Sequence, residues 1–177
     1  MKKYFPFLFI AFAFFSLSCS IQKLLEEEDP VKRIVSSHAE KQEKRYQLEL
    51  VASGAPNADN IDKFSLHYIA LKRIKIPEVR KLFVLSVEEF LNMVNADAEL
   101  RPLLAKHPIT IENLKFNIGF GTIDGDFQEP PYIAYAYLAD GKICYCYYDN
   151  LFGKFIYYDD VEEPYDEALQ IVLEKHL

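Results

Sequence analysis

The longest regular pattern of apolar and polar positions lies between residues 77 and 95. Its seven large apolar side chains recur at spacings that place them on one stripe of an α-helix: Val79, Leu82, Phe83, Val87, Phe90, Leu91 and Val94. Pro77 suits the first turn, because its missing N–H would have no intrahelical partner there. Burying such a stripe contributes about 10–20 kcal/mol before chain entropy is counted. The pattern therefore predicts a long helix packed on a broad apolar surface.

Shorter alternating patterns predict the strands that supply this surface. Strands are expected over residues 46–51, 63–71, 114–120, 133–138, 143–148 and 154–158. Asp140-Gly141 separates two of them and predicts a two-residue hairpin turn with positive φ. A helical turn is expected near Leu103, inside an otherwise irregular connection.

Two further helices are predicted at the ends of the domain. Asp29 and Pro30 are suited to cap and open a helix over residues 30–45, which is mostly polar after Val35 and is expected to be a solvated spacer. A final helix follows Pro164. The patterns together predict an α+β fold, in which an antiparallel sheet of about five strands packs against the amphipathic helix, with N- and C-terminal helices.

The N-terminus has the pattern of an export signal. Lys2 and Lys3 precede an apolar stretch over residues 4–17, which is shorter than the roughly twenty residues that a membrane-spanning helix needs. We therefore interpret residues 1–18 as a signal peptide, the alternative being an uncleaved anchor. Ser16 and Ser18 are small residues at the positions that a signal peptidase requires before Cys19.

The run Ser16-Leu17-Ser18-Cys19 resembles the lipobox of bacterial lipoproteins. The resemblance implies that Cys19 is acylated and that membrane lipid holds the new terminus. Residues 19–29 are expected to form this lipidated terminus and a tether, and the chain length predicts a single α+β domain over residues 30–177. The run departs from the family in one respect, because Leu is preferred where Ser16 stands. Ser20 follows the cysteine in place of the Asp that favours inner-membrane retention, which implies the outer membrane if the cell has one. The alternative is a secreted protein cut at the same bond without lipidation.

Composition and charge narrow the function classes. The formal net charge is −7, and removal of the leader with Lys2 and Lys3 takes it to −9. This balance argues against nucleic-acid binding, which needs a basic face. Three cysteines are too few for a disulfide scaffold, and half of the residues are apolar, which indicates a folded domain.

The predicted strands around the hairpin carry the most distinctive side chains. Cys144 and Cys146 flank Tyr145, so both thiols face one side of the strand. They are expected to join Ala134 and Ala136 as small residues beneath a helix, the alternatives being a redox pair or half of a metal site. The opposite face is then expected to carry four tyrosines as a surface for a peptide, a glycan or a partner protein: Tyr135, Tyr137, Tyr145 and Tyr147. A second layer of helix over that face is the alternative.

Charged clusters provide weaker signals. Carboxylates gather at Asp124, Asp126 and Glu129, and at Asp59 and Asp62, but neither loop has the spacing of a calcium-binding helix-loop-helix site. A basic cluster lies where the second strand meets the main helix: Lys72, Arg73, Lys75, Arg80 and Lys81. It suits phosphate head groups or an acidic partner, and the acidic run over residues 159–167 suits pairing with it.

No motif nominates a catalytic residue, a metal ligand or a cofactor. The four histidines are scattered, and none has a second histidine at metal-ligand spacing. We therefore expect a non-catalytic binding domain. A small envelope hydrolase is the alternative, and a cleft holding an acid or a histidine with a strongly shifted pKa would favour it.

Overall fold

The computed structural model describes residues 29–57, 59–124, 126, 128, 130–149, 154–156 and 161–174. Helices and strands follow in the order α1 (Pro30–Tyr46), β1 (Glu49–Gly54), β2 (Phe64–Ala70), α2 (Ile76–Ala96), β3 (Leu114–Phe120), β4 (Tyr135–Ala139), β5 (Lys142–Asp149), β6 (Lys154–Ile156), β7 (Glu162–Pro164) and α3 (Tyr165–Glu174). Short 3-10 turns at Arg101–Leu103 and Ile111–Asn113 lie between α2 and β3. The predicted leader and Cys19 lie outside the described residues.

The strands form one mixed sheet in the order β1-β2-β3-β4-β5-β6, and β7 pairs with the first part of β5. The α+β class and the mostly antiparallel pairing are confirmed. The exception is the parallel pair β2–β3, whose register runs from Phe64–Leu114 to Ala70–Phe120. Helix α2 lies between these two strands in the chain. It carries the chain back to the end of the sheet at which β2 begins, so that β3 runs in the same direction as β2. The short strand β7 was not predicted.

Helix α2 covers one face of the sheet. All seven residues of the predicted stripe are buried, which confirms that stripe. The rings of Phe90 and Phe83 lie edge-on to Phe64 of β2 and Phe116 of β3, with centroids 5.4 and 5.1 Å apart. Edge-to-face pairs of this kind contribute about 0.5–1.5 kcal/mol beyond the burial of their area. The core therefore lies between α2 and the central strands.

Helix α1 begins as predicted but is not a solvated spacer. The Asp29 carboxylate accepts a hydrogen bond of 2.9 Å from the backbone N–H of Val31, and Pro30 occupies the first turn. Beyond Val35, however, His38 and Gln42 are fully buried against α2 and β2. The expectation of a spacer was wrong because these polar side chains find hydrogen-bond partners in the interface, and satisfied polar groups can be buried.

Helix α3 packs on the same side of the sheet as α1 and α2. Its first residue, Tyr165, is buried and donates a hydrogen bond of 3.0 Å to Glu88 of α2, while Ala168 and Val172 join the core. The three described helices thus cover one face only. In the described part of the chain, no helix combines the length and the apolar character that a membrane crossing requires.

Candidate functional site

The second face of the sheet carries no helix among the described residues. On β2 the residues that alternate with the core are Ser65, His67 and Ile69, and each is partly exposed. The same holds for Asn117 and Gly119 on β3. This face therefore presents side chains and backbone that the core does not use.

The hairpin turn decides which residues of β4 and β5 join this face. Asp140 and Gly141 have φ values of 49° and 73°, as predicted for a two-residue turn. The turn pairs Tyr137 with Cys144 and Tyr135 with Cys146. Directly opposed residues of an antiparallel pair lie on the same face. Two tyrosines and both cysteines therefore share the helix-free face.

Two predictions about these strands are corrected by this register. Tyr145 lies opposite Ala136 and is buried on the helix face, and Tyr147 packs against the same core. The four tyrosines therefore do not form one surface, and the cysteines do not lie with the alanines beneath a helix. Both predictions fail for one reason: the two-residue turn fixes the register of β4 with β5, so the faces of the two strands are not independent.

Three rings make contact on the helix-free face. The ring of His67 on β2 lies edge-on to Tyr135 on β4, with centroids 5.8 Å apart, and Tyr135 lies 6.0 Å from Tyr137. His67 and Tyr135 meet across β3, where Gly119 has no side chain between them. A Cβ atom on Gly119 would lie 3.6 Å from Ile69 Cγ2 and 3.8 Å from Tyr135 Cδ2. We call His67, Tyr135 and Tyr137 the aromatic platform.

Burial favours the neutral forms of His67 and of both cysteines on this face. Burial lowers the pKa of the His67 imidazole below its usual value. Burial also raises the pKa of the Cys144 thiol, a shift that a hydrogen bond from Tyr137 opposes, and it raises the pKa of Cys146 to about 12. Because the thiolate is the reactive form of cysteine, neither thiol is activated as a nucleophile. The geometry favours hydrogen bonding and ring stacking over covalent chemistry.

Much of the predicted basic cluster has partners inside the molecule. Both oxygens of Glu163 lie 2.8 Å from Arg80 Nε, so pairing with the acidic run is confirmed for this residue. The Lys72 ammonium donates a hydrogen bond of 2.7 Å to the backbone oxygen of Tyr46. Arg73 and Lys75 both lie over the ring of Tyr132. These contacts within the molecule indicate that most of the cluster stabilises the connection between β2 and α2.

The carboxylate loops do not converge. Asp59 and Asp62 are exposed, as are Asp124 and Asp126, while Glu129 lies outside the described residues. Within the described ranges, no group of three or more His, Cys, Asp or Glu side chains is close enough to hold a metal ion.

A groove of about 810 Å³ lies at the end of the sheet where β3 and β4 separate. The β3–β4 pairing stops at Asn117–Tyr137, and Lys115 and Ala139 line the opening beyond it. Charged side chains of both signs surround it and are all exposed: Lys63, Lys106, Lys115, Glu112, Asp140 and Asp166. His38, whose pKa burial lowers to about 4, lies in the core and not in this groove.

Sequence patterns missed two residues of the helix-free face, His67 and Asn117. Both occupy outward positions of strands that were predicted correctly, so alternation alone would have found them. Comparisons with protein-family models, with curated proteins and with solved structures find no match for this chain.

Proposed function

We propose that the chain is an exported, lipid-anchored protein of the cell envelope whose domain binds a ligand without transforming it. The binding surface is the aromatic platform with its neighbours Asn117 and Cys144. One observation supports the binding role above others: contacting, partly exposed rings lie beside neutral hydrogen-bonding groups on a face that no described helix covers. Tyrosine rings suit such a surface because they are apolar in the body and polar at the tip.

Among the residues that the structure describes, the histidine with the strongly lowered pKa and the two cysteines do not provide an activated, accessible group for a hydrolase. His38 is fully buried and both ring nitrogens have partners, at 2.7 Å from Tyr68 Oη and 3.0 Å from Ser86 O. The raised pKa values of Cys144 and Cys146 disfavour a thiolate nucleophile. Binding is thus the function that these side chains support best.

We propose that the lipid anchor is at Cys19, ten residues before Asp29, which caps α1. An extended segment of ten residues reaches about 33–36 Å. The acylated terminus would therefore keep the domain close to the bilayer without fixing its orientation. Stable attachment requires more than one acyl chain, because a single chain binds a membrane reversibly.

The anchor is tested by the mass of the native N-terminal peptide and by cell fractionation. We expect a diacylglyceryl-modified Cys19, and we expect Cys19→Ala to move the protein from the membrane fraction to the aqueous one. Cys144→Ala is the matched control, which should stay with the membrane. An unmodified Cys19 at the mature terminus would favour secretion, and a retained leader would favour the uncleaved anchor.

The binding surface is tested by passing native envelope extract over the immobilised protein. Tyr137→Ser removes one ring of the platform, and Tyr132→Ser removes a tyrosine elsewhere. We expect envelope material to bind saturably to the wild type and to the Tyr132→Ser variant. The Tyr137→Ser variant should not retain it. Equal retention by all three proteins would contradict a binding role for this face.

A further inference from the structure

The aromatic platform and its two neighbours supply only five side chains. Its three rings, with Asn117 and Cys144, form a strip across β2, β3, β4 and β5. A stable protein interface uses roughly 800 Å² and 20–30 residues on each side. The strip instead matches a small ligand or a single narrow chain, for which a few polar groups set the orientation.

The side chains of the strip itself are uncharged, and charged residues begin beyond it. Charged residues of this face lie at its margins, with Glu49 on the first strand and Lys115 near the sheet end. Glu162 lies directly opposite Cys144 at the other end of the strip and forms an ion pair with Lys142. An anionic ligand would find no cation in the strip and a chain of net charge −7 around it. The carboxylate beside Cys144 is already paired with Lys142, so it is not free to bind a cationic ligand.

The neutral groups of the strip are dense in hydrogen-bonding capacity. The Asn117 amide offers two donors and an acceptor oxygen, and the neutral His67 imidazole offers one donor and one acceptor. The phenol rings of Tyr135 and Tyr137 add flat apolar area with a hydroxyl at the rim. A complementary ligand has apolar C–H faces, many neutral hydroxyl groups and no net charge.

These features are the chemistry of a neutral carbohydrate chain. We propose that such a chain binds along the row from His67 to Cys144, with its C–H faces on Tyr135 and Tyr137 and its hydroxyl groups on Asn117 and His67. This inference rests on the proposed binding function and names the ligand class of the same surface. Gly119 forms the floor between the rings, so that a sugar ring approaches the β3 backbone there.

The test uses the full processed protein in a detergent that has no sugar headgroup. Isothermal titration and saturation-transfer NMR are run with cellohexaose, maltohexaose and chitohexaose as neutral probes. Oligogalacturonate serves as an acidic probe, and an uncharged hexapeptide of alanine and serine as the peptide probe. We expect at least one neutral oligosaccharide to bind with a Kd below about 1 mM, and neither of the other probes to saturate.

Variants locate the binding. We expect Tyr137→Ala to raise the Kd of the neutral oligosaccharide by about ten-fold or more, because the stacking surface is lost. Tyr132→Ala, the same change outside the strip, should leave the Kd within about two-fold. Gly119→Ala is a second variant, since its methyl group meets Ile69 and Tyr135 at ordinary contact distances and fills the floor without disturbing the fold. Gly119→Ala should also weaken binding of the oligosaccharide.

The outcomes separate this inference from the function on which it rests. Absence of saturable binding to any neutral oligosaccharide overturns the carbohydrate assignment, as does binding that Tyr137→Ala leaves unchanged. Equal binding of oligogalacturonate overturns the neutral class. If the carbohydrate assignment fails while envelope material is still retained through Tyr137, the binding function survives with another ligand. If both fail, the helix-free face is not a binding surface.

Discussion

The Nδ1 atom of His38 lies 2.7 Å from the hydroxyl oxygen of Tyr68, and both side chains are fully buried between α1 and the sheet. The other ring nitrogen lies 3.0 Å from the backbone oxygen of Ser86, which can only accept a hydrogen bond. Nε2 therefore carries the proton and Tyr68 donates to Nδ1. The arrangement holds His38 neutral and ties together α1, α2 and β2.

The first prediction concerns the stability of the fold at acidic pH. Burial lowers the pKa of His38 from 6.5 to about 4, although the bond to Ser86 and the charge of Glu89 oppose the shift; Lys41 adds to it. Below pH 6.5 the unfolded chain binds a proton that the folded protein does not. The free energy of unfolding should therefore be highest above pH 6.5 and fall toward pH 4, with His38 contributing about 3 kcal/mol of that loss.

Urea unfolding across pH 4–7.5 measures this contribution. His38→Gln should be less stable at neutral pH but should have a flatter profile between pH 6.5 and 4. His107→Gln, at an exposed histidine, should keep the wild-type profile. If the wild type and His38→Gln have parallel profiles, His38 is not the group responsible.

A second prediction concerns the ion pair that ties β7 to α2. Glu163 accepts hydrogen bonds from Arg80 and from the buried Tyr145 hydroxyl, and the side chains of Arg80 and Glu163 are 19% and 15% exposed. Glu163→Gln leaves the guanidinium without a charged partner in a poorly hydrated place. We expect a loss of about 1–3 kcal/mol, less than for a fully buried pair.

The neighbouring residue provides the control. Glu162 pairs with Lys142, and their side chains are 41% and 45% exposed. Glu162→Gln should change the free energy of unfolding far less than Glu163→Gln does, because solvent screens an exposed pair. Chemical denaturation of the two variants in parallel gives the comparison, and equal losses would refute the structural importance of Arg80–Glu163.

A third prediction concerns the hairpin that sets the register of β4 and β5. Gly141 has a φ of +73°, and a Cβ atom added there would meet nothing within 4 Å. Gly141→Ala should therefore destabilise the protein by about 1 kcal/mol through backbone strain and not through a clash. Gly54→Ala also meets open space but lacks a positive φ. Thermal denaturation should show little change for that control.

A fourth prediction concerns the two thiols of β5. Cys146 is 1% exposed with a pKa raised to about 12, whereas Cys144 is partly exposed. Iodoacetamide at pH 8 should modify Cys144 first and Cys146 only after unfolding, because alkylation requires an accessible thiolate. Peptide mass mapping against time distinguishes the sites. Fast modification of Cys146 in the folded protein would place it outside the packed sheet.

Features that depend on nearest neighbours along the chain were predictable. The Asp29 cap, the stripe of α2 and the Asp140-Gly141 turn each follow from the local geometry of helices and turns. The face assignment of Tyr145 was within reach as well, because the two-residue turn already implies that Tyr137 opposes Cys144. With Tyr137 opposite Cys144, Tyr145 lies opposite Ala136 and therefore on the other face of the sheet from Tyr135 and Tyr137.

Side-chain periodicity was enough to predict the helices, most of the strands, the apolar stripe of α2 and the α+β class, since it records which residues of one element can share a buried face. The parallel pairing of β2 with β3, the burial of His38 and the contact of His67 with Tyr135 across Gly119 were set by packing. Those relationships join residues far apart in the chain. Their free energy comes from contacts that exist only after the helices and the sheet have packed, so no local pattern carries them.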